Sequence, residues 1–242
     1  MFTFVATTAF VAAMVASPAL AQSPTGESPK SFVLAQRSSA TPIKDAKRNS
    51  TLAAAASITE DLIDFALAGK PDAVVEKVGA MRKTLPTLRP MLSDSDAATL
   101  ERRVIEMEQA SAKGDITGTA LAAAEAYRTI ESAMDVARTP VPIEVAMMDY
   151  SGFKLSILAG AQTTDWPAIA ATTMEADNFL IALAKKIQDT SIRNLVSAIQ
   201  SGLKVAVERK EINGVKFAAK MQLEVVDVLE QYFKGAYRNP VR

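Results

Sequence analysis

The spacing of apolar residues constrains the fold of this chain more than any other feature of its sequence. From Thr51 onward, apolar side chains recur every three or four residues and never at every second residue. A period of three to four places side chains on one face of an α-helix, whereas a half-buried strand requires strict alternation. The pattern therefore predicts an all-α protein.

Four helices are predicted in the first half, residues 50–138. The second of them follows Lys70-Pro71-Asp72 and has near-heptad apolar positions at Val74, Val78, Met81, Leu85, Leu88 and Leu92. Ser93-Asp94-Ser95-Asp96 predicts the N-cap of the third helix. Pro86 and Pro90 interrupt the second helix, so it either bends there and opens a groove or ends early.

The second half, residues 143–242, repeats the plan of the first about 95 residues later. The turn Asp115-Ile116-Thr117-Gly118 has a counterpart in Glu211-Ile212-Asn213-Gly214. The apolar pairs are Leu62 with Ile157, Leu88 with Leu183, Leu100 with Leu195, and Val104 with Ile199. We interpret this repeat as a tandem duplication of an antiparallel four-helix unit, with eight helices in total.

Two prolines separate the halves. Residues 139–142, Thr-Pro-Val-Pro, form a short hinge because each proline lacks an amide donor and cannot continue a helix. A linker this short holds the two units close together, and we expect two bundles in contact.

The N-terminus has the composition of an export signal. Residues 1–21 are uncharged, carry an apolar run and end in Pro18-Ala19-Leu20-Ala21, which predicts a signal peptide cleaved after Ala21. Residues 22–49 are rich in Ser, Pro and basic side chains, which is typical of a disordered linker. We expect a periplasmic or secreted protein with no membrane insertion after cleavage.

Composition narrows the range of partners. The chain has no cysteine, so it forms no disulfide and has no cysteine for a lipid anchor. Basic and acidic residues number 27 each, and such a balance creates no broad field for nucleic acid.

The chain also has no histidine, which removes the Ser-His-Asp mechanism and every histidine-ligated metal centre. Ser151-Gly152-Phe153-Lys154 fits the Ser-x-x-Lys pattern of serine β-lactamases and penicillin-binding proteins, but the companion Lys-Thr-Gly and Ser-Asp-Asn elements are absent. We therefore predict no catalytic residue, no metal site and no cofactor, and a protein that is not an enzyme.

Polar residues on a predicted inward face are the best candidates for ligand binding. Tyr150, Ser151 and Lys154 share that face, where the first half has small residues. A buried lysine needs an anion, either from another helix or from a ligand, unless its stem packs and its head reaches solvent. Glu125 corresponds in the repeat to Met221, a predicted core residue. Glu125 is either a ligand-binding carboxylate or a paired structural charge. Trp166 is either a helix-cap anchor or part of a surface groove.

Two functions fit these features. The first is a non-enzymatic periplasmic adaptor or accessory subunit that binds a protein or peptide through helix grooves, above all in the alanine-rich first half. The second is a small-ligand or metal-binding protein that uses the polar residues of the bundle. The layout is similar to that of imelysin-like iron-uptake proteins, but their Gly-x-His-x-x-Glu motif requires a histidine.

Overall fold

The structure is a computed structural model, which describes residues 42–235. These residues form eight α-helices and two short 3-10 turns with no strand, as the apolar spacing predicts. The helices are α1 (Pro42–Leu67), α2 (Pro71–Leu88), α3 (Asp94–Ala112), α4 (Ile116–Ser132), α5 (Ile143–Gly160), α6 (Trp166–Ala184), α7 (Thr190–Glu208) and α8 (Ile212–Lys234). The predicted signal peptide, and the predicted linker up to residue 41, lie outside the described residues.

Helix α1 begins at Pro42, so the predicted linker, residues 22–49, extends eight residues too far. Tertiary contacts explain the earlier start. Arg48 donates to two main-chain carbonyls of the first half at 2.9 and 2.6 Å. Asn49 donates to the carbonyl of Asp135 at 3.2 Å and accepts from its amide at 3.0 Å. Packing and tertiary bonds of this kind stabilise a helix that composition alone does not predict.

Side-chain caps define where several helices begin. The Ser93 hydroxyl accepts a hydrogen bond from the amide of Asp96 at 3.1 Å, which confirms the cap predicted for α3. Asp115 caps α4 and Asp165 caps α6 through the same geometry, at 2.8 and 3.0 Å. At the other end of α4, the helix stops at Ser132, and a 3-10 turn at Val136–Arg138 leads to the proline hinge.

The two halves have the same pattern of neighbouring helices. In the first half α1 contacts α2 and α4, and α3 also contacts both; in the second half α5 contacts α6 and α8, and α7 also contacts both. Between the halves, α5 packs against α4 and, over a smaller area, against α1. The described residues form one compact unit, and the core of the first half continues into α5 through Tyr150, Phe153 and Ile157.

Helix α5 is buried over more of its circumference than the single inward arc predicted for it. Met147 and Met148 point in different directions, yet both are buried. The reason is that α5 packs against α4, α6 and α8. Gly152 lies close against α8, because a Cβ added there would lie 2.7 Å from the Cδ2 of Leu223.

The predicted pairing of α3 with α7 is wrong by one residue. Leu195, paired with Leu100, is 48% exposed, while the next residue, Val196, is buried. The buried positions of α3 are Leu100, Val104 and Met107, and those of α7 lie 96 positions later at Val196, Gln200 and Leu203. The caps Ser93 and Asp189 are also 96 positions apart, so an alignment of the two halves by burial needs a spacing of 96, not 95, at α3 and α7.

Helix α2 continues through Pro86 and ends at Leu88, where a 3-10 turn, Arg89–Met91, follows. Pro86 has no N–H to donate to the carbonyl of Arg82 four residues earlier. A groove of about 240 Å³ lies between the end of α2 and the first turns of α3, with Pro86 in its lining. Within residues 42–235, no helix is both long enough and apolar enough to cross a membrane.

Candidate functional site

Three of the five candidate residues meet where α4 packs against α5. Lys154 donates to the Oε1 of Glu125 at 2.6 Å and to the Tyr150 hydroxyl at 2.9 Å. The Tyr150 hydroxyl in turn donates to the same Glu125 oxygen at 2.8 Å. The anion expected for Lys154 is thus a carboxylate from another helix, and we call Glu125, Tyr150 and Lys154 the α4–α5 clamp.

The charges of the clamp stabilise one another. Burial acts to raise the pKa of Glu125, but the hydrogen bonds from Lys154 and Tyr150 outweigh it and hold that pKa below its usual value. Burial likewise acts to lower the pKa of Lys154, and its bonds to Glu125 and Tyr150 raise it instead. Both groups therefore stay ionised across the neutral range.

Two arginines extend the clamp toward neighbouring helices. Arg128 lies 5.0 Å from the ring centre of Tyr150 and forms an ion pair with Glu175 of α6 at 2.7 Å. Arg103 of α3 forms an ion pair with Glu106 at 2.8 Å, and its second nitrogen lies 3.9 Å from Glu125. Sequence reasoning missed both arginines, because their role depends on which helices are neighbours.

The clamp is closed on itself. The Lys154 ammonium, the Tyr150 hydroxyl and one oxygen of Glu125 are all used in bonds within it, and the side chains of Lys154 and Glu125 are only 24% and 21% exposed. Lys154 uses two of its three N–H donors within the clamp, and an anion bound there would compete with Glu125 for the same positive charge. The geometry therefore favours the structural role that the sequence left open for Glu125, that of a paired charge joining the two halves.

Ser151 faces away from the clamp, toward α8. Its hydroxyl donates to the carbonyl of Met148 at 2.9 Å and accepts from the Nε2 of Gln222 at 2.8 Å. Gln222 also donates to the Met148 carbonyl at 2.6 Å, whereas its Oε1 has no partner among the described residues. Ser151 and Gln222 are both fully buried, so they tie α5 to α8 within the core.

Trp166 lies at the first residue of α6 and has no bond to the clamp. It is partly buried against the core formed by α5, α7 and α8, and Asp165 caps the helix immediately before it. This arrangement matches the cap-anchor interpretation. The five candidates thus separate into the clamp, a buried serine and a helix anchor.

An acidic cavity that the sequence did not predict lies on the other side of α5. Its volume is about 270 Å³, and Glu60 of α1, Glu131 of α4 and Glu230 of α8 line it together with Tyr127 and apolar side chains. Tyr127 donates to the Oδ2 of Asp149 at 3.0 Å. Asp149 therefore pairs with Tyr127 on this side of α5, and Glu125 serves Lys154 instead.

The carboxylates that line this cavity, and that of Asp149 beside it, resist ionisation. Burial, with the charge of Glu60 next in importance, raises the pKa of Asp149 to about 8. Burial, Glu60 and Glu230 raise the pKa of Glu131 to about 7, and burial with neighbouring acids also raises that of Glu60. Four helices contribute these groups, so no local sequence pattern could have revealed them.

Within residues 42–235, no three carboxylates are close enough together to hold a metal ion. The acids that line the cavity form a cluster in which each charge raises the pKa of its neighbours. In comparisons with known proteins, no protein-family profile, no curated protein and no solved structure matches this chain.

Proposed function

We propose that the protein is a non-enzymatic secreted or periplasmic helical protein, an adaptor or accessory subunit, which binds a protein or peptide partner through the groove between α2 and α3. The observation that carries the proposal is this groove at the proline-containing end of α2. The residues that line it are Arg82, Leu85, Pro86, Arg89, Leu92, Ala97, Leu100 and Glu101. It lies in the alanine-rich first half, where the sequence placed the partner surface.

The groove combines an apolar floor with a charged rim. Leu100 at its base is fully buried, while Leu85 and Leu92 are partly exposed. Arg82 forms a two-pronged ion pair with Glu108 of α3, and Arg89 lies 3.8 Å from Glu101. These cross-helix pairs hold the two walls in register. An apolar centre within a polar rim is the usual anatomy of a protein-binding surface.

The size of the groove favours a peptide over a metabolite. Its volume, about 240 Å³, is below the roughly 300–1,000 Å³ of ordinary small-molecule pockets. Such a space accepts one or two large apolar side chains, as the anchor of a binding hot spot does.

The candidate ligand residues support the same choice over the small-ligand alternative. Glu125, Tyr150 and Lys154 bond to one another, and release of any of them to a ligand would leave a partly buried charge unpaired. The duplication is also a proposal. The matching neighbour relations of the two halves support it, as does the position of the Asp115–Gly118 and Glu211–Gly214 turns at the start of α4 and α8.

A capture experiment with matched variants tests the groove. The protein, purified as cells process it, is immobilised and exposed to an extract of exported proteins, and the captured protein is identified by mass spectrometry. Leu92→Lys places a charge in the groove and should abolish capture, whereas Thr87→Lys, on the exposed surface of α2 outside the lining, should leave it intact. Equal capture by both variants, or none by the unaltered protein, would refute the groove as the binding site.

Export is tested on the same sample. An intact mass that begins at Gln22 supports cleavage after Ala21, and recovery of the protein in the periplasmic or extracellular fraction supports the predicted location. Retention of residues 1–21 in a protein that fractionates with the cytoplasm would contradict this part of the proposal.

A further inference from the structure

Helix α6 carries an apolar stripe on its exposed face. The exposed positions of the helix are Pro167, Ala171, Met174, Asn178, Ile181 and Lys185. Met174 is 70% exposed and Ile181 is 55% exposed, among the highest values for large apolar side chains in the described part of the chain. The steps between these positions are four, three, four, three and four residues, which is the spacing of a coiled-coil seam.

The acids beside the stripe are already neutralised within the molecule. Glu175 pairs with Arg128 at 2.7 Å, and Asp177 pairs with Lys204 at 2.6 Å. Approach of a second helix to the stripe therefore meets two satisfied ion pairs on its flanks. A buried asparagine at one seam position, as Asn178 would be, fixes register in known coiled coils.

A ridge runs along the centre of the stripe. Met174 and Asn178 form it between two shallow hollows, one of about 560 Å³ on the side of Lys154 and one of about 400 Å³ on the side of Val207. A two-fold axis between antiparallel helices sets the ridge of one copy against the ridge of the other, so Met174 of each copy packs beside Asn178 of the other. Such an isologous contact uses the same patch on both copies.

The charges at the two ends of the stripe favour an antiparallel arrangement of the two α6 helices. Asp165 is exposed at the N-terminal end of α6, and Lys185 is exposed at the C-terminal end. An antiparallel pair with its axis midway between Met174 and Asn178 places Ala171 opposite Ile181 and Pro167 opposite Lys185. Each Lys185 then approaches the Asp165 of the other copy, whereas a parallel pair brings like charges together.

We propose that the α6 stripe is a two-fold interface through which two copies of this chain associate with their α6 helices antiparallel. The interface lies in the second half, away from the groove between α2 and α3. It stands on its own observations and is independent of the function proposed for that groove.

Sedimentation velocity over a range of protein concentrations tests the interface. The unaltered protein should sediment as a dimer that dissociates on dilution. Met174→Glu and Ile181→Glu should each give a monomer, because they bury two like charges at the seam. Phe217→Glu is the matched control: Phe217 is 68% exposed on α8, outside the stripe, and this variant should remain dimeric. Circular dichroism checks that every variant is folded.

Cross-linking of introduced cysteines tests whether the two α6 helices are antiparallel. The chain has no cysteine of its own that could form other disulfides. Mixed Ala171→Cys and Ile181→Cys proteins should form a disulfide with each other on mild oxidation, because opposed seam positions bring their Cα atoms within bonding range. Self-linking of Ile181→Cys in preference to the mixed pair would contradict the antiparallel arrangement. A monomer at every concentration, or a dimer lost only in Phe217→Glu, would overturn the interface.

Discussion

The Nζ of Lys154 on α5 lies 2.6 Å from the Oε1 of Glu125 on α4, so a partly buried ion pair joins the two halves of this protein. Tyr150 bridges the same two atoms from α5, at 2.8 and 2.9 Å. All three residues lie beside the point where the apolar core of the first half continues into α5.

Replacement of either charge of the clamp should destabilise the protein. We expect Glu125→Gln and Lys154→Met each to lower the free energy of unfolding by about 1–3 kcal/mol, because each leaves a partly buried partner with an unmet bond. The double variant should lose less than the sum, with a coupling of about 1 kcal/mol or more in urea titrations. The exposed variant Glu101→Gln, whose ion pair spans 3.8 Å, should change stability by less than about 0.5 kcal/mol. Simple additivity would show that the clamp atoms do not interact.

The acidic cavity predicts a fall in stability as pH rises. The folded-state pKa of Asp149, about 8, and that of Glu131, about 7, lie above their ordinary values. Between those ordinary values and the raised ones the folded protein binds more protons than the unfolded chain, so stability decreases from about pH 4 to pH 8. Thermal melts across this range should show the melting temperature falling.

Asp149→Asn removes one of the buried carboxyl groups whose ionisation lowers stability. The asparagine keeps an acceptor for the Tyr127 hydroxyl. At pH 8 we expect it to raise the melting temperature by about 2–4 °C, equivalent to roughly 1 kcal/mol at this chain length, and to flatten the pH profile. A variant that melts lower than the unaltered protein at pH 8 would contradict the raised pKa.

Two glycines in helices should respond to alanine in opposite ways. Gly152→Ala places a methyl group 2.7 Å from Leu223 on α8, and overpacking of this kind costs about 1–3 kcal/mol. Gly79→Ala on α2 meets nothing within 4 Å and should stabilise the protein by about 0.5–1 kcal/mol through helix propensity. Denaturant titrations of both variants measure the contrast, and equal effects would mean that α5 and α8 are not in close contact at Gly152.

Pro86→Ala links stability to the proposed binding. The alanine amide can donate to the carbonyl of Arg82, so we expect a gain of about 1–3 kcal/mol in the free energy of unfolding. The same change replaces a proline ring in the lining of the groove with a methyl group, so affinity for the captured partner should fall. Isothermal titration with the partner peptide measures this. Unchanged affinity would show that Pro86 does not contribute to partner binding.

Much of the architecture is legible in the sequence because it depends on local pattern. Apolar spacing identifies the helices, and the cap at Ser93 marks where α3 begins. The requirement of Lys154 for an anion follows from its place on an inward face, and Glu125 on another helix supplies it. These inferences need only the chemistry of single helices.

Other features required knowledge of which helices are neighbours. The sequence pattern predicts that Ser151 and Lys154 share one arc of α5. Because α5 packs against α4, α6 and α8, the two side chains face different helices. The cavity acids Glu60, Glu131 and Glu230 come from three helices, and nothing in their local sequence distinguishes them from solvent-exposed charges. The misregistered Leu195 shows that a weak repeat can be aligned one residue wrong until burial is known.

The two halves share one core through α5. Urea unfolding followed with two probes tests this most directly. Trp166 is the only tryptophan and lies in the second half, so its fluorescence reports that half, whereas far-ultraviolet circular dichroism reports all the helices. If the halves form one cooperative unit, the two urea transitions will coincide in midpoint and slope. Two separated transitions, with the fluorescence change confined to one of them, would contradict the account.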